Sequence, residues 1–421
     1  MRVLTCVLIA MAYCSQVIAE PLLLKKAVAE ALANNPGLAA IQARADALAQ
    51  IPSQVDSLPD PRLSMNLMNM PLDSFSFTQE GMTQFQVGVS QALPYPGKLA
   101  LKAKAANQIA EAATSTIDER RLQLASDVKR VWWNIFYLDR ALDTIDKNRR
   151  LLRQFYELAE TRYQVGKGQQ QDVLLAQLEI EKLHNNKIQL RNKRRNEIIR
   201  LNIIRDRDPS EKIILPGKIS ETLMKLKHEK VLYNKAREIR PDLIAQQKMV
   251  EASKMQVKLA SKERMPDFMA SAVYGLRSGE NPDGSGRADF VSLMFSMNLP
   301  VYADKKQHRN EDQRNAEWIQ QKYQLQDKTR QIAAEIAKAI ANYETATAQA
   351  ELFKNRIIPQ AKQTVDAMLG GYQVGKVEFL SLLLSQTMLY DYQTEYWKAI
   401  SVANQALAEL VSAVGEESVY E

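Results

Sequence analysis

The chain has few of the residues that carry covalent chemistry and few of those that separate domains. Its 421 residues include two cysteines, three histidines, 15 glycines and 15 prolines. Both cysteines, Cys6 and Cys14, lie near the N-terminus, so no disulfide framework is predicted for the rest of the chain. Because no Pro-rich or Ser-rich linker interrupts the sequence, one elongated, helix-rich body is favoured over several domains.

The few candidate catalytic residues do not form a pattern. His184, His228 and His308 are scattered, and no Gly-rich phosphate loop opens a helix after a strand. We therefore expect no enzyme, no cofactor and no metal site. The formal net charge is +7, with basic and acidic residues interleaved. A basic run such as residues 191–195 is typical of a solvated helix face, so we expect no nucleic-acid partner.

The N-terminus predicts a secretory signal over residues 1–19. Arg2 precedes an apolar stretch, and Ala19 is a small residue at the expected cleavage point. Cys14 offers lipid modification as an alternative, but that signal requires a small residue where Tyr13 stands. Further along there is no apolar run of the roughly 18–20 residues that a spanning helix needs. Membrane association must therefore come from strands.

An internal repeat is the most informative feature that the sequence does contain. The string Tyr-Gln-Val-Gly-Lys occurs at 163–167 and again at 372–376, a separation of 209 residues. Gln177 and Gln386 continue this register. A period this long indicates one structural half used twice, not a solenoid. We predict repeats at 20–205 and 231–421, joined by an irregular connecting segment at 206–230, with turns at 163–168 and 372–376.

Each repeat contains a pair of segments that alternate apolar and polar residues, at about 62–92 and about 268–299. The alternation predicts strands with one apolar face. The apolar positions are Leu63, Met65, Leu67, Phe85, Val87, Val89, Phe268, Ala270, Ala272, Tyr274, Val291, Leu293, Phe295 and Met297. Runs of about ten residues match strands that cross a bilayer.

Two hairpins of a soluble sheet are the alternative, but no further strands are available to cover their apolar faces. Four strands cannot close a membrane barrel alone, so several copies must share one. Two copies would give eight strands with a filled interior, and three would give twelve with room for a lumen. The strand positions that alternate with the apolar ones hold mainly Ser, Gln, Asn and Gly, and these small polar residues suit the wall of a hydrated pore.

The remainder of each repeat predicts helix. Long helices are expected from about Lys98 to Tyr163 and from about Ala303 to Tyr372, each followed by a return helix, Gln169 to about Arg205 and Glu378 to about Ala413. A helix of about 65 residues spans about 100 Å. Shorter helices precede the hairpins, at Leu22–Asn34, Gly37–Ser57, Val231–Arg240 and Asp242–Met265.

These motifs resemble the TolC family of outer-membrane efflux proteins. The resemblance rests on the Tyr-x-Val-Gly turns, the Asn35-Pro36 and Arg240-Pro241 breaks, and the motifs at 172–177 and 357–361. Residues 93–98, Leu-Pro-Tyr-Pro-Gly-Lys, are similar to the heavy-metal efflux branch. The resemblance implies a mainly α fold with a long antiparallel coiled-coil tunnel. It also implies four membrane strands per chain in a shared trimeric barrel.

The resemblance further implies partners and site residues. The expected partners are two further copies of the chain, outer-membrane lipid, a periplasmic adaptor and an inner-membrane transporter, for example of the RND type. The expected adaptor-docking tips are Val165, Gly166, Lys167, Val374, Gly375 and Lys376. Acidic residues that ring the periplasmic entrance in relatives correspond here to Ser381 and Leu384, so the candidate entrance residues are Asp172, Glu378 and Ser381.

The expected function is a passive exit duct in the outer membrane, extending into the periplasm and carrying heavy-metal ions or small toxic compounds. The alternatives are a duct for type I protein secretion and a periplasmic coiled-coil scaffold without a pore. The hairpins are rich in methionine, whose thioethers bind soft cations but also pack well against lipid. We favour packing for Met65, Met68, Met70, Met82, Met269, Met294 and Met297.

Overall fold

The structure, a computed structural model, describes residues 21–217 and 219–420. The predicted signal at 1–19 lies outside this range. The described chain is mostly helical with one four-stranded antiparallel sheet, so the mainly α, internally duplicated fold expected from the sequence is confirmed. No helix in the described ranges combines the length and the apolar character that crossing a membrane requires.

The first repeat contains five helices and two strands among its described residues. Three short helices come first, then a hairpin, then a helix of 67 residues and its return helix. Their bounds are α1 Leu24–Asn34, α2 Pro36–Ala49, α3 Ile51–Asp56, β1 Arg62–Met68, β2 Gln84–Leu93, α4 Lys98–Gln164 and α5 Gln170–Ile204.

The second repeat follows the same order with one change. Its elements are α6 Glu229–Ile239, α7 Pro241–Lys262, β3 Phe268–Leu276, β4 Phe290–Met297, α8 Gln307–Leu352, a π-helix Phe353–Ile357, α9 Ile358–Gln373 and α10 Phe379–Val414. The long helix predicted from about Ala303 to Tyr372 is present from Gln307 to Gln373, and a π-helical segment at Phe353–Ile357, which was not predicted, interrupts its α-helical hydrogen bonding. Pro359, which has no N–H and clashes with the carbonyl four residues earlier, follows the interruption directly.

The two repeats attach their short helices to their return helices in the same way. Asn35 caps α2 and its Nδ2 donates to the backbone oxygen of Ile204 at 3.0 Å. Arg240, at the matching position, donates to the backbone oxygen of Ser412 near the end of α10. Arg240 also pairs with Glu119 of α4 at 2.8 Å, and both side chains are buried.

The sheet places every predicted apolar position on one face. Its strand order is β1-β2-β3-β4, and Met65, Val87, Tyr274 and Val291 form one cross-strand row. This face is exposed in the single chain, with Leu293 82% exposed. The opposite face carries the row Ser64, Gly88, Val273 and Ser292, and also Met68, Met269 and Met294.

The long helices form a layer that ends in two open edges. In the half of the layer that ends at the two turns, α5 packs on α4, α4 packs on α10, and α10 packs on α8 and α9. The core is divided into clusters along this layer rather than gathered in one place; one surrounds Trp132, Trp133 and Phe136 and another lies near the turns. Since α4 is 67 residues long, the layer separates the sheet from the turns by about 100 Å.

The buried Arg240–Glu119 pair generates a stability prediction. Arg240→Met leaves the buried Glu119 carboxylate without its partner and should lower the free energy of unfolding by about 3–5 kcal/mol. Arg240→Met combined with Glu119→Leu should recover most of this loss. Arg121→Met, which removes an exposed pair with Asp118, is the control and should cost under about 1 kcal/mol. Denaturant unfolding of the wild type and these three variants measures this, and equal losses for Arg240→Met and Arg121→Met would contradict it.

Candidate functional site at the two helical turns

The first turn ends α4 with a glycine in the left-handed conformation. Gly166 has φ +69°. Its N–H donates a hydrogen bond to the backbone oxygen of Tyr163 at 3.0 Å, and the N–H of Lys167 donates one to the backbone oxygen of Arg162 at 2.8 Å. This pair of bonds is the Schellman motif, which closes a helix with glycine at the position after its cap. Residue 166 must therefore tolerate positive φ, which β-branched residues rarely adopt.

The second turn repeats this geometry at the end of α9. Gly375 has φ +74°, and its N–H bonds the oxygen of Tyr372 at 3.0 Å, while Lys376 N bonds the oxygen of Gly371 at 2.9 Å. All six predicted tip residues are exposed in the single chain, with Val165 62% and Val374 68% exposed. Each turn thus presents an apolar side chain beside a lysine.

Arg162 joins the two turns. Its Nη1 donates to the backbone oxygens of Tyr372 and Gln373 at 2.5 and 2.7 Å, and its Nη2 donates to that of Lys167 at 3.0 Å. Its guanidinium also lies 4.8 Å from the centroid of the Tyr372 ring. One side chain therefore binds backbone in both turns and fixes them side by side.

Tyr372 and Asp172 form a second connection. The buried hydroxyl of Tyr372 donates to Asp172 Oδ2 at 3.1 Å. Burial and the neighbouring Asp172 raise the pKa of Tyr372 to about 12, against a smaller opposing effect of Arg162. The phenol therefore stays protonated at neutral pH and acts as the donor. Asp172, a candidate entrance residue, is engaged within the chain through this bond.

The duplication is not symmetric at this point. At the offset of 209 residues, Gly371 and Ser381 stand where the first repeat has Arg162 and Asp172. Tyr163, the counterpart of Tyr372, is 46% exposed, and its hydroxyl has no hydrogen bond among the described residues. The roles of Arg162 and Tyr372 were not predicted from the sequence, although Tyr372 is the first residue of the repeated Tyr-Gln-Val-Gly-Lys string.

The other candidate entrance residues lie at the start of α10. Glu378 is its exposed N-cap residue, without a side-chain capping bond, and Ser381 is exposed one turn later. Leu380, Leu384 and Met388 form an exposed apolar row on the same helix. The structure brings Asp172 to the Tyr372 hydroxyl, whereas Glu378 and Ser381 face outward from the chain.

No group of three or more His, Cys, Asp or Glu side chains suited to a metal ion occurs within residues 21–217 and 219–420. His308 lies 2.9 Å from Asp304, and His228 accepts a bond from Lys230 N. Gln86 donates to the sulfur of Met68 at 2.9 Å.

Comparisons with known proteins agree with this geometry. A model of the outer membrane efflux protein family matches residues 27–204 and 232–416. A search of curated proteins found no match. Among solved structures, VceC of Vibrio cholerae has a TM-score of 0.78 at 19% identity, with 93% of this chain and 96% of that chain covered.

Two further solved structures are similar. CusC has a TM-score of 0.79 at 17% identity, with 93% of this chain and 92% of that chain covered. The open state of the MtrE outer membrane channel of Neisseria gonorrhoeae has a TM-score of 0.76 at 17% identity, with 94% and 89% covered. At these identities the likeness establishes the fold.

The contact between the turns predicts an asymmetric response to removal of the two tyrosine hydroxyls. Tyr372→Phe leaves the buried Asp172 carboxylate without its donor and should cost about 1–3 kcal/mol in unfolding free energy. Tyr163→Phe is the matched control in the other repeat and should be within about 0.5 kcal/mol of wild type. Hydrogen exchange at residues 160–175 and 370–382 should rise only in Tyr372→Phe. Equal exchange in both variants would show that the bond does not stabilise the turns.

Proposed function

Because the chain belongs to the outer membrane efflux protein family and so lies in the outer membrane and extends into the periplasm, we propose that it is the passive exit duct of a tripartite efflux system. Cargo passes to it from an inner-membrane transporter through a periplasmic adaptor. The observation that carries this proposal is the placement of two exposed glycine turns at one end of a helical layer and an apolar-faced sheet at the other.

The open edges support a homotrimer. β1 and β4 each have one side without a strand partner among residues 21–217 and 219–420, and α5 and α8–α9 end the helical layer in the same way. Unpaired backbone groups are strongly disfavoured in lipid, so the sheet must continue into another copy. Three copies would supply twelve strands, with the apolar face toward lipid and the row Ser64–Gly88–Val273–Ser292 toward a lumen.

The turns are proposed as the adaptor-docking tips. Val165 and Val374 are exposed, and Arg162 holds both turns in one rigid arrangement. An exposed apolar residue beside a lysine in each turn offers a partner hydrophobic contact with a charged rim. Glu378 and Ser381 are proposed as entrance residues, because they are exposed one turn above the tips. Asp172 is proposed to act there through Tyr372.

Heavy-metal ions or small toxic compounds are the proposed cargo, in line with the motif at 93–98 and the likeness to CusC. Type I protein secretion is the alternative use of the same duct. A periplasmic scaffold without a pore is less well supported, because it leaves the exposed apolar face of the sheet unexplained. The proposed transporter type is RND.

The docking proposal predicts that the turn glycines are required for efflux and not for assembly. Gly166→Val or Gly375→Val should abolish efflux, measured as export of the cargo from cells, because valine is poorly tolerated at φ near +70°. Trimer formation and membrane insertion should persist, since the sheet lies about 100 Å away. The control is Gly370→Val, since Gly370 is helical and a side chain there meets open space.

Cross-linking in cells tests the same proposal directly. Cysteines at Gln164 and Gln373 should cross-link to the adaptor, and a cysteine at Ser292 should not. Strong cross-linking at residue 292 with none at either turn would reverse the orientation and refute docking through the turns.

The lipid-facing assignment predicts a contrast between neighbouring strand positions. Val89→Arg and Leu293→Arg place a charge on the apolar face and should each cost about 2–4 kcal/mol near the bilayer midplane. Gln86→Arg and Ser292→Arg lie on the opposite face and should instead alter ion conductance in planar bilayers. Folding into vesicles measures the first effect. Equal destabilisation by both pairs would contradict the assignment of the faces.

A further inference from the structure

A basic groove lies where the connecting segment crosses α5. It is a cavity of about 620 Å³ between residues 191–199 and residues 209–214, with isoleucines on its floor. Arg191, Arg195 and Lys212 line it and are exposed. None of these three forms an ion pair or side-chain hydrogen bond with a residue in the described ranges. Arg194 differs, because it pairs with Asp139.

A second groove, lined by both acidic and basic residues, lies where the same segment crosses α8, at the opposite edge of the helical layer. It is a cavity of about 690 Å³ between residues 223–229 and residues 340–351. Glu344 and Glu351 line it, both exposed and neither in an ion pair within the described chain. Lys227 in this groove is held by Ser418, and Lys354 just beyond it pairs with Glu221.

The contacts between neighbouring helices give the height of each groove along the layer. The pairs Arg194–Asp139 and Lys187–Asp146 place Arg195 level with residue 138 of α4. The bond from Ser401 to the oxygen of Trp133 and the Gln386–Asn148 bond place residue 396 of α10 at that same level.

The contacts on the other side of α10 complete the comparison. The rings of Phe353 and Tyr392 are 6.2 Å apart, and those of Tyr372 and Phe379 are 5.2 Å apart. The first pair places Glu351 level with residue 394 and the second places it level with residue 400, so Glu351 lies within about one helical turn of residue 396 and of the height of Arg195. Both charged sets also lie on the side of their helix that the connecting segment covers.

We propose that the basic groove of one copy receives Glu344 and Glu351 of the second groove of the next copy, with Arg195 opposite Glu351 as the central ion pair and Lys212 near Glu344. This inference rests on the trimeric ring proposed above. It assigns a contact between adjacent copies at the level of Arg195 and Glu351, between the sheet and the turns. The two sets of charges are opposite in sign and lack partners, and they lie within about one helical turn of the same height on the two open edges. When the copies close into a ring, the edge of one copy meets the other edge of the next, so these charges would face each other. The pairs would fix the vertical register of adjacent copies.

The position of the groove argues against a lipid occupant. Residue 138 lies 40 residues along α4 from its first residue, Lys98, which adjoins the sheet, so a helical rise of 1.5 Å per residue puts the groove about 60 Å from the sheet. Headgroups at the membrane surface therefore do not reach Arg195. An acidic segment of another protein is the competing occupant, and the experiment below separates it from a second copy.

Disulfide trapping in the full-length protein tests the inference. Residues 21–420 contain no cysteine, so Arg195→Cys with Glu351→Cys should give disulfide-linked dimers and trimers on oxidation. Lys193→Cys with Glu351→Cys is the matched control, because residue 193 faces away from the basic groove. Linked species from the first pair and few from the control are expected. Absence of linked species from the first pair, in protein that is trimeric by light scattering, overturns the inference and leaves the proposed duct intact.

Charge reversal provides the second measurement. Arg195→Glu and Glu351→Arg should each speed dissociation of the detergent-solubilised trimer by about fivefold, the change that about 1 kcal/mol produces. The double reversal should restore the rate, and Lys193→Glu should leave it unchanged. A trimer unaffected by all reversals, with Arg195→Glu alone losing a bound partner protein, would assign the groove to that partner. A wild type that is never trimeric would overturn both the inference and the proposed duct.

Discussion

Open edges are the constraint on which the rest of this structure depends. β1 and β4 end the sheet with unpaired backbone groups, and α5 and α8–α9 end the helical layer below it. An unpaired strand edge is disfavoured in water and more strongly in lipid, because each free N–H or C=O lacks a partner. Both edges and the exposed apolar face of the sheet are therefore surfaces that the described chain leaves uncovered, and the trimeric ring proposed above would cover them.

The length of the layer explains how its core is organised. A helix as long as α4 cannot be stabilised by one central cluster, so apolar side chains gather at separate levels along it. Buried ion pairs join these levels to the short helices, as Arg240 does with Glu119 and Arg205 with Glu30. Each pair fixes the register of two helices, because one turn of sliding would leave a buried charge unpaired.

The repeats have diverged most clearly at the turns. Both keep the glycine that ends the helix, since the backbone conformation requires it in each. Arg162 and Asp172 are present only in the first repeat, so Tyr372 is held while its counterpart Tyr163 is exposed. The contact that joins the two turns therefore depends on residues of the first repeat that the second repeat lacks.

The sequence alone determined the features that depend on local or periodic chemistry. Glycine at 166 and 375 marked the reversals because positive φ is a property of one residue. The two-residue alternation identified the strand faces because it follows from the pleat. The π-helix Phe353–Ile357 was not predicted, because its formation depends on how the surrounding helix is packed.

Only the tertiary structure decided which distant side chains meet. Asp172 is a candidate entrance residue by sequence position, yet it accepts a bond from Tyr372, 200 residues away. The partners of Arg162 and Arg240 lie in other elements in the same way. The heights of Arg195 and Glu351 become comparable only through contacts across α4 and α10. Nothing in local spacing encodes such contacts, because they depend on how whole helices align, which the combined packing of both repeats determines.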